Sequence, residues 1–144
     1  MCIRDSIYSF GVLHHTPSLE NALKGIHTLM HGNSVFKMMV YAENSWKSAM
    51  ISAGLDQPEA QYGCPIANSY TEHEITDILH RSGFSLVSIE QDHIFPYVVA
   101  DYKNYNYVRE PWFHIMPQEV FQALEKKLGW HLLITSNIAA QNTH

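Results

Sequence analysis

The first 42 residues limit the fold most strongly, because two apolar strands flank one amphipathic helix. Residues 6–13, "SIYSFGVL", form an apolar run of strand length, and residues 34–42, "SVFKMMVYA", form a second one. A strand without alternation of apolar and polar residues is typical of a parallel sheet covered on both faces. The apolar residues between the two runs recur at helical spacing: Leu19, Ala22, Leu23, Ile26 and Met30. The pattern predicts a right-handed βαβ unit.

Local signals place the ends of this helix. We expect Thr16 to cap it, with Pro17 at the first helical position, where a missing N–H costs nothing. We expect Gly32 and Asn33 to end it, since both residues tolerate the left-handed conformation of a helix C-terminus.

The rest of the chain continues to alternate helices and strands. The clearest helix start is the capping box of Thr71 and Glu74, and Gly83 ends that helix. Residues 97–113 are aromatic-rich and predict a loop or a broken helix. The other predicted elements are helices over 44–54 and 117–129, the latter with Val120, Phe121, Leu124 and Leu128 on its apolar face, and strands over 84–95 and 130–135.

Alternating strands and helices predict an α/β fold with a largely parallel sheet. A long loop, a helix and then a strand near the C-terminus indicate that the last strand is inserted antiparallel. We expect residues 6–136 to form the folded part. Residues 1–5, "MCIRD", are expected to be a non-native or disordered leader, and residues 137–144 a frayed tail.

Composition excludes several classes of protein. With 144 residues and 46% hydrophobic content, the chain is long and apolar enough for one domain with a real core. A net charge of -5 and the lack of a Lys/Arg-rich run argue against nucleic acid as a partner. No apolar run has the length of a membrane span. Two cysteines, Cys2 and Cys64, are too few for a disulfide framework and favour the cytoplasm.

Histidine is the most suggestive residue type. There are ten histidines, but none lies in an H-E-x-x-H pattern, so no metal site is predicted. His14 and His15 stand out because they follow directly on the first strand, where parallel strands present side chains to ligands. Two interpretations are open: an imidazole acting near neutral pH as a base, or a pair in which one histidine caps or packs beside the next helix and the other is solvated.

Three segments together resemble the class I S-adenosylmethionine-dependent methyltransferases. They are "YSFGVLHHTPSLENALKGIHTL", the strand "SVFKMMVY", and "YTEHEITDILHRSGFSLVSIE". The resemblance is strongest over residues 6–95 and points to the small-molecule branch with a "GVLHH-x-P" segment after its fourth strand. It implies a Rossmann-like methyltransferase sheet, partial, with strands four to seven and their flanking helices.

The resemblance also implies what this chain does not contain. The sequence has no G-x-G-x-x-G and no acidic strand end to hold the ribose of the cofactor. We therefore expect the C-terminal half of a methyltransferase domain, inactive alone and weak in binding S-adenosylmethionine.

By the same resemblance, particular residues are assigned to the site. Phe10, Gly11, Val12 and His15 are expected to border the cofactor, and His14 and His15 to act in catalysis. The expected substrate contacts are Trp46, Tyr97, Tyr102 and Tyr105. The alternative for each of these rings is that it packs over the sheet.

Two functions follow, and they belong to different classes. The first is methyl transfer from S-adenosylmethionine to a small-molecule acceptor. The second is a non-catalytic interaction module, in which an exposed edge strand over residues 7–13 recruits a partner or forms a homodimer.

Overall fold

The computed structural model describes residues 5–58 and 67–140, which form one mixed sheet with helices packed on it. The strands are β1 (Ser6–Phe10), β2 (Val35–Ala42), β3 (Ser69–Tyr70), β4 (Phe84–Asp92) and β5 (His131–Ile138). The helices are α1 (Leu19–His27), α2 (Trp46–Ser52), α3 (Glu72–Arg81), α4 (Val99–Tyr102), α5 (Pro111–His114) and α6 (Gln118–Leu128), and a single 3-10 turn spans Leu13–His15.

The strand order confirms the predicted fold class. The order is β1-β2-β5-β4, with the short β3 pairing with the end of β2. The β1–β2 and β2–β3 pairs are parallel, whereas β5 is antiparallel to both β2 and β4. All strands but the last one therefore point the same way, and the late strand is the antiparallel one.

The main core lies where α1 and α3 pack on the sheet. Leu23 of α1 and Ile75 of α3 are fully buried, together with Phe36 and Val40 of β2. The helical spacing of the apolar residues brings them onto one face of each helix, and alternation along β2 brings every second residue to the same face of the sheet. The apolar face predicted for α1 is confirmed, since Leu19, Leu23 and Met30 are buried in this core.

Helix α1 begins two residues later than predicted. Its N-cap is Ser18, whose Oγ accepts a hydrogen bond from the Asn21 backbone N–H at 3.3 Å. Thr16 instead closes the 3-10 turn, because its Oγ1 donates to the Leu13 carbonyl at 2.8 Å. The prediction of Thr16 as the cap was wrong because its side chain is hydrogen-bonded within the 3-10 turn, which was not predicted.

Asp5 and residues 137–138 take part in the sheet, which was not expected. The carbonyl of Asp5 accepts a hydrogen bond from the Val35 N–H at 3.0 Å, so the leader predicted over 1–5 already joins the sheet at its last residue. Strand β5 continues to Ile138, which pairs with Phe84, so the first two residues of the predicted tail, 137 and 138, belong to the sheet. Neighbouring strands on both sides supply partners to these residues of β5. Residues 1–4 and 141–144 lie outside the described part.

A second, smaller core joins distant segments. Ile94, Phe113 and Phe121 are buried together, and Trp46 and Leu124 pack against them. The segment predicted as a loop or broken helix over 97–113 contains α4 and α5, held by a bridge between Tyr97 and Arg109. Val120, predicted to be buried, is 47% exposed, because α6 packs through the face that carries Phe121.

The turn before β5 is closed around Gly129. The Gly129 N–H donates to the Glu125 carbonyl at 2.8 Å, and the next residue, Trp130, donates to the His93 carbonyl at 2.7 Å. A Cβ on Gly129 would collide with the backbone of Asp92 and with the Glu125 carbonyl. Only glycine therefore fits between the end of β4 and the start of β5.

We predict that Gly129→Ala lowers the free energy of unfolding by about 2–3 kcal/mol, because backbone on both sides has to move. The matched control is Gly25→Ala in α1, where an added Cβ meets nothing within 4 Å. The control should stabilise the protein by about 0.5–1 kcal/mol, as alanine does within helices. Urea unfolding of both variants measures the difference, and equal midpoints would contradict the prediction.

Candidate functional site

The candidate site is the edge of the sheet at which β1, β2 and β4 end and β5 begins. Ligands of open α/β sheets bind at the carboxyl ends of the parallel strands. Here those ends are followed by Gly11, Glu43 and His93, and β5 enters the same edge through Trp130 and His131.

The turn that carries the two predicted histidines is fixed from both sides. Gly11 opens the turn with φ +76°, a conformation that favours glycine. The His15 N–H donates to the Val12 carbonyl at 3.0 Å, and the Asn68 N–H donates to the His14 carbonyl at 2.9 Å. An added Cβ on Gly11 would meet only the Met39 Cε, at 4.0 Å, so the space beside its backbone is open.

The structure brings His14 and His15 together, with different exposure. The His14 ring is fully buried, 4.0 Å from the His15 ring and 3.7 Å from the Tyr41 ring, between centroids. His15 is partly exposed and meets Tyr41 edge-on at 6.1 Å. Of the pair, His15 therefore has the accessible ring surface, and His14 is enclosed between the rings of His15 and Tyr41.

The other residues predicted to border the cofactor lie at the same edge. Phe10 and Val12 are 47% and 58% exposed, on either side of Gly11. The Phe10 ring stacks on Tyr8 at 6.0 Å and meets His131 edge-on at 5.9 Å. Phe10, Gly11, Val12 and His15 are therefore accessible at the end of β1, whereas Leu13 and His14 between them are buried.

A group of aromatic rings at this edge was not predicted from the sequence. Tyr41 stacks on Trp130 at 4.4 Å, and His131 lies 5.4 Å from Trp130 and 4.7 Å from His93. Tyr41 and His93 are far from each other and from Trp130 and His131 in the sequence, and the pairing of β5 with β2 on one side and with β4 on the other brings them together. One sequence feature could have indicated this group, because each of its aromatic residues lies at or next to the end of a strand.

Lys47 is a second unpredicted member of the site. Its Nζ lies 2.9 Å from the centroid of the Trp130 ring and 5.3 Å from that of Tyr41, and the residue is only 9% exposed. The ring faces compensate part of the cost of burying an ammonium group. Lys47 is placed by the first turn of α2, which Ser45 caps through a hydrogen bond from the Ser48 N–H at 3.2 Å.

Burial and neighbouring charges keep His131 neutral. Burial, as the largest effect, and the neighbouring basic groups His93, His14 and Lys47 together lower the pKa of His131 from 6.5 to about 4, against the opposing effect of Asp92. The edge therefore disfavours an additional proton on this ring near neutral pH.

The residues predicted to contact substrate fall into two places. Trp46 packs on Phe113 in the second core, at 5.2 Å, and its indole Nε1 is buried without a hydrogen-bond partner among the described residues. Tyr97 and Tyr102 stack at 6.3 Å in a separate group of rings with Phe95 and Tyr107. Tyr105, with φ +61°, is 84% exposed. Their predicted contacts with substrate stay a prediction.

Residues 5–58 and 67–140 contain neither a metal-binding cluster nor a membrane-spanning helix. No group of three His, Cys, Asp or Glu side chains there is arranged to hold a metal ion. None of the helices in this part is long and apolar enough to span a bilayer.

Neither a protein-family model nor a curated protein matches the sequence, whereas many solved structures match the fold. An S-adenosylmethionine-dependent methyltransferase from Thermotoga maritima is 12% identical, with a TM-score of 0.60 over 96% of this chain and 59% of that one. The 1,6-didemethyltoxoflavin N1-methyltransferase of Burkholderia thailandensis, solved with S-adenosylhomocysteine, is 18% identical, with a TM-score of 0.52 over 94% and 44%.

The magnesium protoporphyrin IX methyltransferase of Synechocystis, solved with S-adenosylhomocysteine, is 10% identical, with a TM-score of 0.54 over 97% of this chain and 47% of that one. The chain has the class I methyltransferase fold. It spans about half the length of these structures, and at these identities the likeness concerns the fold. The predicted Rossmann-like methyltransferase sheet is thereby confirmed.

The low pKa of His131 predicts how stability depends on pH. The unfolded chain takes up a proton on this imidazole near pH 6.5, whereas the folded chain does so only near pH 4. The stabilisation is therefore complete above pH 6.5 and is lost as the pH falls towards 4. Because the ring is only half-buried, we expect an effect of about 1 kcal/mol between pH 7 and pH 5.

The test compares the wild type with His131→Phe, which keeps a ring in the stack and removes the proton. Urea unfolding at pH 7 and pH 5 should show a smaller loss of stability in the variant than in the wild type. The same loss in both proteins would show that His131 is not the group responsible.

Proposed function

We propose that this chain serves S-adenosylmethionine-dependent methyl transfer to a small-molecule acceptor. The observation that carries the proposal is the segment of residues 10–15, where an open glycine turn and two histidines follow the first parallel strand of a methyltransferase fold. The structural neighbours are S-adenosylmethionine-dependent methyltransferases, and two were solved with S-adenosylhomocysteine, which supports the same cofactor here.

Gly11 and Phe10 can accommodate part of S-adenosylmethionine, namely the region around its sulfonium. Gly11 leaves its backbone open to close approach, and the exposed Phe10 ring offers a face to a sulfonium. S-adenosylmethionine supplies an electrophilic methyl group on sulfur. Because the sequence contains no G-x-G-x-x-G, we propose that the chain by itself binds the cofactor weakly and is inactive alone.

The two histidines take different parts in this proposal. His15 is partly exposed and near the open turn, so it accepts the proton that a hydroxyl or a protonated amine loses on methylation. His14, fully buried between the rings of His15 and Tyr41, orients its neighbour. The catalytic assignment of the pair thus becomes one base and one positioning residue.

The acceptor is proposed to be a small molecule under an aromatic cover. Tyr97, Tyr102 and Tyr105 line the exposed part of that cover, and Trp46 supports it through Phe113. The Burkholderia neighbour is named for N-methylation of a small heterocycle, in keeping with such an acceptor. The low cysteine content supports a reducing compartment such as the cytoplasm.

We predict that S-adenosylhomocysteine at millimolar concentration shifts the backbone amide NMR signals of Phe10, Gly11 and Val12. These amides border the open turn, whereas the amides of α3 should be unaffected. Gly11→Val should abolish the shifts, since a β-branched residue resists a positive φ. Gly25→Val, in a helix away from this edge, is the control variant and should keep them.

Calorimetric titration completes this test. Weak binding that maps to residues 10–12 supports the proposal, and shifts confined to other strands would contradict it. Tight binding by the chain alone would contradict the expected weakness, while leaving the location to be decided by the amide shifts.

The second candidate function is an interaction module that pairs through β1. Within residues 5–58 and 67–140, β1 pairs only with β2, so its other edge faces outward. Tyr8, Phe10 and Val12 are 68%, 47% and 58% exposed. An open edge beside exposed apolar side chains promotes association with another strand.

We predict that the chain dimerises through residues 7–13 at micromolar concentration, or is marginally stable as a monomer. Tyr8→Lys should shift the dimer to monomer in analytical ultracentrifugation, because edge lysines oppose strand pairing. Tyr105→Lys, at a tyrosine that is also exposed but lies outside β1, should leave the dimer intact. A clean, stable wild-type monomer would contradict this candidate.

A further inference from the structure

Strand β3 takes the place of β1 beside β2 at the carboxyl edge. The parallel register of β1 with β2 ends at the pair Phe10 and Met39. The register of β3 with β2 begins two residues further along β2, where Tyr41 pairs with Ser69. The chain after Phe10 therefore leaves the sheet, and the histidine turn (residues 11–16) follows outside this ladder.

One residue next to β3 holds the histidine turn on both sides of His15. The Asn68 backbone N–H donates to the His14 carbonyl at 2.9 Å. Its side-chain Nδ2 donates to the Thr16 carbonyl at 3.1 Å, across 52 positions of the sequence. These two carbonyls belong to the residues immediately before and after His15. A single distant residue therefore fixes the backbone of His15 at two points.

The same residue connects the histidine turn to Tyr41. Asn68 directly precedes Ser69, which pairs with Tyr41 in the sheet. The Tyr41 ring lies 3.7 Å from the His14 ring and meets the His15 ring edge-on at 6.1 Å, between centroids. The hydrogen bonds of Asn68 therefore set the distance between the strand that carries Tyr41 and the turn that carries both imidazoles.

His15 depends on its backbone for order more than His14 does. His14 is fully buried, so the surrounding side chains restrict its ring, whereas His15 is partly exposed. A side chain that is not enclosed keeps more rotamer freedom, and this freedom opposes a fixed orientation. A general base acts only within hydrogen-bonding reach of the proton that it removes. Hydrogen bonds on both sides of His15 limit the backbone motion that would displace its imidazole.

We infer that Asn68 is a positioning residue for His15, whose imidazole it keeps beside Tyr41 at the carboxyl edge. The bond to the His14 carbonyl needs only a backbone N–H, whereas the bond to the Thr16 carbonyl needs a side-chain donor. The asparagine side chain therefore acts on the part of the turn that follows His15. That His15 is the base rests on the proposed function, whereas its positioning by Asn68 does not.

The experiment is NMR spectroscopy of the whole chain at pH 7 with Asn68→Ala and Asn68→Asp. Both variants lack the side-chain donor to the Thr16 carbonyl, since an ionised carboxylate only accepts hydrogen bonds. The measurement is the NOE between the ring protons of Tyr41 and those of each histidine of the turn. We expect both variants to lose the His15–Tyr41 NOE. The His14–Tyr41 NOE should persist, because the backbone N–H of residue 68 still donates and the His14 ring stays buried.

The matched control is Asn104→Ala. The Asn104 Nδ2 makes the same kind of hydrogen bond, to the Ala100 carbonyl at 3.0 Å, but lies outside the histidine turn. Both NOEs should persist in this variant. Because Asn68 contacts the turn at residues 14 and 16, Asn68→Ala should also keep the amide shifts that S-adenosylhomocysteine causes at residues 10–12.

Selective loss at His15 separates a positioning role from a general contribution to the fold. Absence of the His15–Tyr41 NOE in the wild type, or its persistence in either Asn68 variant, would overturn the inference. Loss of both NOEs together, or of the folded spectrum, in both variants would overturn it as well, since Asn68 would then stabilise the whole turn or the fold.

The same spectra distinguish this inference from the proposed function. Selective loss at His15, combined with no effect of S-adenosylhomocysteine on residues 10–12, would contradict methyl transfer and leave Asn68 as the residue that fixes His15. Shifts at residues 10–12, combined with unchanged NOEs in the Asn68 variants, would remove the positioning role and leave methyl transfer in place.

Discussion

The pairing of β2 on both sides is the constraint on which the rest of the structure depends. Strand β2 is parallel to β1 on one side and antiparallel to β5 on the other, over seven residue pairs with β5. Its alternate residues Phe36, Met38 and Val40 are at most 2% exposed and form the floor on which α1 and α3 pack. Because β2 is central, the position of its end at Tyr41 also determines which residues of the neighbouring strands lie at the candidate site, such as His131 of β5.

The candidate site forms where three segments meet at that end of β2: the end of β4, the loop after β2 and the turn before β5. The Gln91 side-chain amide donates to the Asn44 carbonyl at 2.7 Å and to the Gly129 carbonyl at 2.6 Å. One side chain therefore joins the end of β4, the loop after β2 and the turn before β5. This tie, with the close packing at Gly129, keeps Trp130 and His93 beside Tyr41. Hydrogen bonds and close packing of the backbone thus position the aromatic rings at this edge, in addition to the contacts between the rings.

Features of the structure could be predicted from the sequence where they depend on a few adjacent residues. The capping box of Thr71 and Glu74 is present as predicted, with the Glu74 carboxylate accepting from the Thr71 N–H at 2.8 Å. The histidine pair at the end of β1 was found for the same reason, since a glycine break after an apolar run is visible in the chain. Predictions failed where a neighbour intervened, as at Thr16, whose side chain the 3-10 turn had taken up.

The sequence by itself determined the α/β class, the antiparallel last strand and the position of His14 and His15, because periodicity and turn residues act over a few positions. Only the tertiary structure decided that His14 is buried while His15 is partly exposed, and that Lys47, Trp130 and His131 belong to the same edge. The physical reason is that strand pairing joins residues some 90 positions apart, and both burial and pKa depend on those distant neighbours rather than on the adjacent residues.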